Sequence, residues 1–158
     1  MSALRSETIE TRAIPALSVL AVDDDPWVRL RLEEFLREAG VPFELCADPH
    51  EAFRRCAARR TAYGLVLMDI RFPAGNLVGE ISRKIAALGG GSAGPAIIGM
   101  SDCANLEKFQ RGTEWGMIDI LPKPLFKWLI INLAHEFCGG EEVQEDKGAE
   151  GHQAGVAI

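Results

Sequence analysis

The chain has 158 residues, 47% of them apolar and 25% charged, with a formal net charge of −6. That balance suits one ordinary globular domain with its own core. It excludes the clustered Lys/Arg surface by which proteins hold nucleic acid or an anionic membrane.

Residues 1–15 are polar and aperiodic and are expected to form a flexible leader. They contain no apolar h-region of a secretory signal. From residue 16 two textures alternate. The first strand is expected in "LSVLAV" (17–22), followed by a helix in "PWVRLRLEEFLREAG". There Val28, Leu32, Phe35, Leu36 and Ala39 recur at helical spacing. Asp25 is placed to cap that helix, Pro26 suits its first position and Gly40 its end. Then come "FELCA" (43–47) and a helix in "PHEAFRRCAARR". "GLVLM" (64–68) precedes "NLVGEISRKIAALGG", and "PAIIGM" (95–100) precedes the more polar "NLEKFQRGTEW". "MIDIL" (117–121) leads into "LFKWLIINLAHEFCGG". In this fifth helix Leu125, Leu129, Leu133 and Phe137 form a stripe that would cover the sheet. Trp128, Ile130 and Ile131 lie off the stripe and suggest a dimer or effector surface. Residues 139–158 are acidic and small and read as a disordered tail. Cys46, Cys56, Cys103 and Cys138 form no CxxC pair and have no His at zinc spacing. Reduced thiols in a cytoplasmic protein are expected. The longest apolar stretch is too short to span a bilayer and carries Lys127.

Five strand–helix units predict an α/β domain over 16–138, with a parallel sheet covered on both faces. Sites of such sheets form at the carboxyl ends of the strands. There the sequence places Asp23, Asp24 and Asp25 after the first strand and Asp69 after the third. Ser101 follows the fourth and Lys123 the fifth. Carboxylates about 4 Å apart repel by roughly 4 kcal/mol at an effective dielectric near 20. Mg²⁺, which takes hard oxygen ligands, removes that cost. Beside it a carboxylate can accept a phosphoryl group, with an ammonium and a hydroxyl to hold the phosphoryl oxygens.

The stretches "VLAVDDDPWVR", "LVLMDIRFP", "IIGMS" and "DILPKPL" together resemble the receiver domain of two-component response regulators, of the stand-alone type. The resemblance implies a (βα)5 flavodoxin-like three-layer sandwich with strand order 2-1-3-4-5. It implies that Asp69 is the phosphoacceptor and that Asp23, Asp24, Asp69 and the Arg71 backbone carbonyl hold Mg²⁺. Ser101 is then the switch hydroxyl and Lys123 the phosphoryl-binding lysine, joined to Pro124 by a cis peptide. Asp25 is left for helix capping. The phosphodonor would be a sensor histidine kinase or a histidine phosphotransfer protein. Such a chain is not an enzyme beyond its own phosphoryl uptake and loss.

Two positions depart from the pattern. Ile120 stands where receivers carry Tyr or Phe, and Asp102 where they carry a small residue. The loop "GGGSAG" is also slightly long. Ile120 and Asp102 motivate a second reading, a pseudo-receiver that binds partners without regulated phosphorylation. A third comes from the Asp-x-Asp of "AVDDDP", as in haloacid-dehalogenase-like phosphatases, with Asp23 as nucleophile and Asp25 as acid. It leaves Asp69 idle. In the receiver reading, output passes by protein contact through the fourth helix, fifth strand and fifth helix.

Overall fold

Strands and helices alternate from the first element to the last in the computed structural model, which describes residues 17–58, 63–71, 77–89, 94–103 and 106–139. The expected leader, the expected tail beyond Gly139, and most of the "GGGSAG" loop lie outside the described residues. The elements are β1 (Ser18–Val22), α1 (Pro26–Ala39), β2 (Phe43–Cys46), α2 (Pro49–Ala58) and β3 (Tyr63–Asp69). They continue with α3 (Leu77–Ala87), β4 (Ala96–Ser101), α4 (Leu106–Glu114), β5 (Asp119–Pro122) and α5 (Lys127–Cys138). All strands are parallel, in the order β2-β1-β3-β4-β5.

The two faces of the sheet follow from side-chain alternation. Val19 and Ala21 of β1, with Leu65 and Leu67 of β3, join Leu32, Phe35 and Leu36 of α1 and Ile130 and Ala134 of α5 in one core. Leu20, Val22, Val66 and Met68 point the other way, toward Ala52 and Cys56 of α2 and Ile81 and Ile85 of α3. Every residue of β3 is buried, as a central strand covered on both faces requires.

α1 starts and stops by the signals its sequence carries. The Asp25 side chain accepts a hydrogen bond from the Trp27 N–H, Pro26 opens the first turn, and Gly40 ends the helix at φ 68°. That left-handed conformation suits glycine.

α5 departs from its expected phase. Its buried line is Ile130, Ala134 and Cys138, while Leu129, Leu133 and Phe137 are only half-buried. The helix packs against both α1 and β3. Small side chains at 134 and 138 permit that approach: a Cβ added at Gly64 of β3 would lie 2.2 Å from the Phe137 carbonyl oxygen. Ile130 is therefore core rather than surface, whereas Trp128 remains 58% exposed.

Candidate functional site

The carboxyl edge of the sheet is assembled by register. Val22 pairs with Met68, so the next residues, Asp23 and Asp69, leave neighbouring strands at the same level. Asp69 pairs with Met100, and Ser101 with Pro122. The Lys123 N–H then donates to the Ser101 carbonyl at 2.7 Å, which extends the ladder to the lysine itself.

The first consequence is a carboxylate cluster. One oxygen each from Asp23, Asp24 and Asp69 lies within 4.8 Å of the others, with Asp23 and Asp69 buried and Asp24 exposed. The three lie in an open cavity of about 280 Å³, lined also by Asp25, Arg71, Asp102 and Lys123. Asp23 is fixed on several sides. Its Oδ1 accepts the Asp25 N–H at 2.9 Å, and its carbonyl accepts a hydrogen bond from Arg29 at 2.8 Å. The Lys123 ammonium pairs with Asp23 Oδ2 at 2.7 Å and reaches to 3.5 Å from Asp69 Oδ1. Asp69 also accepts the Arg71 N–H at 3.1 Å. Asp25 is engaged in the α1 cap, its Oδ1 accepting the Trp27 N–H at 2.8 Å.

Burial pushes the Asp69 carboxyl above its ordinary pKa, and the Asp23 charge adds to the rise; the Arg71 N–H and Lys123 oppose it. Burial acts to lower the Lys123 ammonium. The Asp23 hydrogen bond and the surrounding carboxylates outweigh it and hold the lysine above its ordinary value. The charged form of Asp69 is therefore disfavoured by burial first and by Asp23 second, with Lys123 offsetting part of the cost. The donor set, three carboxylates without His or Cys, is the hard-oxygen chemistry that Mg²⁺ prefers.

The response regulator receiver domain matches this chain over residues 19–134. The chain belongs to that family. Solved receivers share its fold. The chemotaxis response regulator CheY4 of Vibrio cholerae is 22% identical with a TM-score of 0.64, covering 77% of this chain and 98% of its own. The receiver domain of the sensor histidine kinase PA1611 from Pseudomonas aeruginosa, solved with magnesium in its active-site cleft, is 27% identical with a TM-score of 0.63. It covers 77% of this chain and 97% of its own. The Ssk1 receiver of Saccharomyces cerevisiae, solved with the histidine phosphotransfer protein Ypd1, is 20% identical with a TM-score of 0.66. The match covers 80% of this chain and 92% of that one. No curated protein matches.

Among the residues singled out in this receiver, Asp23, Asp24, Asp69 and Lys123 converge. Ser101 is fully buried at the end of β4. The Lys123–Pro124 peptide is cis. Arg71 contributes its N–H to Asp69 and its guanidinium to Asp102, at 2.5 Å. Asp102, which stands where receivers carry a small residue, is thus paired, although both side chains are well exposed. Ile120 is buried beneath α4, where a Cβ at Gly112 would lie 2.7 Å from its Cδ1. Two residues were invisible to sequence reading. Arg29 holds the Asp23 carbonyl, and Lys108 donates to Ser101 Oγ at 3.2 Å. Both are charges on helices and carry no local signal that separates them from solvated surface.

Proposed function

We propose that the protein takes a phosphoryl group onto Asp69 with Mg²⁺ and passes the signal on by protein contact. The reading rests above all on one observation: the oxygens of Asp23, Asp24 and Asp69 lie within 4.8 Å of one another with the Lys123 ammonium beside them. Asp23 and Asp24, with Asp69 and the Arg71 carbonyl, would hold the metal. When bound, Mg²⁺ supplies the charge neutralisation that lets an anionic phosphodonor approach a carboxylate.

An Asp69 oxygen bonds to phosphorus as the P–N bond of a phosphohistidine breaks, the leaving imidazole keeping the electron pair. Asp69 suits this role because burial leaves its oxygens poorly solvated and the Arg71 N–H fixes its plane. Lys123 exchanges part of its contact with Asp23 for a phosphoryl oxygen, and the Ser101 hydroxyl donates to another. Asp25 takes no part, being spent on the cap, which also weighs against the phosphatase reading that needs it as an acid. The donor class, a histidine kinase or histidine phosphotransfer protein, is supported by family membership and by the Ssk1 receiver's complex with Ypd1. Output would pass through α4, β5 and α5, where Phe109 of α4, Trp128 of α5 and Ile118 just before β5 are exposed.

Ile120 and the charged pair at Asp102 favour one other reading, a pseudo-receiver. Intact mass after incubation with acetyl phosphate and Mg²⁺ separates the two. The phosphoacceptor gains one phosphate, lost in Asp69→Asn; the pseudo-receiver gains none.

A further inference from the structure

Ser101 is buried, and both acceptor positions of its hydroxyl are filled. The Cys103 N–H and the Lys108 ammonium each donate to Oγ at 3.2 Å. A serine hydroxyl has two acceptor sites and one proton. With both acceptors used, the proton is what remains to offer. An ammonium on the oxygen polarises the O–H and strengthens it as a donor. Lys108 therefore acts on the very group that, on the reading above, meets the phosphoryl oxygen.

Lys108 belongs to α4 (Leu106–Glu114), not to the sheet edge. Toward its other end the helix rests on β5 through Gly112, which closes onto Ile120. An isoleucine gives α4 an apolar seat without a polar handle. The Lys108–Ser101 contact supplies that handle at the site end of the helix. Charge points the same way. The cavity is lined by five carboxylates against Arg71 and Lys123, so a phosphoryl group adds negative charge to an already acid-rich edge.

We propose that Lys108 is a positioning residue of the phosphoryl site. It sets Ser101 as a donor toward the phosphoryl oxygen and, by following that hydroxyl, carries the phosphorylated state into α4. This rests on the phosphoacceptor reading.

The test uses the full chain with Mg²⁺, comparing wild type, Lys108→Met, Lys108→Arg and a same-helix control, Arg111→Met. Each is titrated with beryllofluoride, followed by amide exchange across α4, and its mass is taken after acetyl phosphate. Lys108→Met is expected to take phosphate on Asp69 yet to bind beryllofluoride roughly tenfold more weakly, with the exchange response of α4 lost. Lys108→Arg restores both, and Arg111→Met leaves both unchanged. A Lys108→Met variant with wild-type affinity and a wild-type α4 response overturns the role of Lys108 while leaving phosphorylation of Asp69 intact. A wild-type protein that takes no phosphate overturns the phosphoacceptor reading and this role with it.

Discussion

The three consecutive aspartates differ by environment rather than by type. Asp23 is buried and held by Lys123 and the Asp25 N–H, Asp24 is exposed in the cavity, and Asp25 caps α1. Asp25→Ala should therefore lower stability by about 1 kcal/mol while leaving Mg²⁺ affinity near wild type. Asp24→Ala should do the reverse, weakening Mg²⁺ about tenfold or more because few direct acidic ligands remain. Denaturant melts and Mg²⁺ titration followed by Trp27, which is exposed beside the acids, measure the two effects. The residue types at the strand ends were legible, since polar residues there break otherwise apolar runs. Lys108 and Arg29 were not, because what distinguishes them is where a helix face lands.

Asp69 carries a pH signature of its own. Its folded pKa lies above the ordinary 3.8, through burial first and the Asp23 charge second. The folded state thus holds this proton more tightly than the unfolded chain. Its contribution to stability is complete below 3.8 and is lost as pH rises through the folded value. Asp69→Asn removes the charge. Without divalent metal, the variant should melt above wild type at neutral pH by roughly 3–6 °C, corresponding to about 1 kcal/mol. The gap should close in acid and shrink when Mg²⁺ is added. A variant that melts below wild type at neutral pH would show that the contacts of Asp69 outweigh its repulsion with Asp23.

At the scale of elements, α1 was readable from end to end because capping is local chemistry: Asp25, Pro26 and Gly40 each act within a turn. α5 was not, and its error is instructive. Large apolar residues suggested the buried stripe, but contact with both α1 and β3 puts Ala134 and Cys138 innermost. Close approach selects small side chains, and periodicity alone cannot say which neighbours will be close. Gly64 is the partner of that approach on β3. Gly64→Ala would drive a Cβ into the Phe137 backbone, which cannot yield as a side chain can. A loss of about 3 kcal/mol is expected, visible as a lower denaturant midpoint. A neutral result would mean that α5 can lift away at little cost. Ile120 and Gly112 make a second such fit, between β5 and α4, and there sequence showed only that an aromatic ring was missing.

For the whole molecule, the β-α alternation indicated a parallel sheet, while the order β2-β1-β3-β4-β5 came from the family resemblance and matches the structure. No helix among the described residues is long and apolar enough to cross a membrane. On the proposed reading, output is a population shift that needs only a few kcal/mol of differential contact. Beryllofluoride with Mg²⁺ should change the sedimentation behaviour of the wild-type protein. Trp128→Ala should suppress the change without altering the fold, since that side chain is exposed. Unchanged sedimentation would remove self-association as the output.

The central claim is that Asp69 becomes covalently phosphorylated, and locating the modified residue tests it most directly. The protein is incubated with acetyl phosphate and Mg²⁺, reduced with borohydride, which converts an aspartyl phosphate to homoserine, and sequenced as peptides by mass spectrometry. Homoserine is predicted at position 69 alone, dependent on Mg²⁺. Homoserine at position 23, or unmodified aspartate at both positions, would contradict the account.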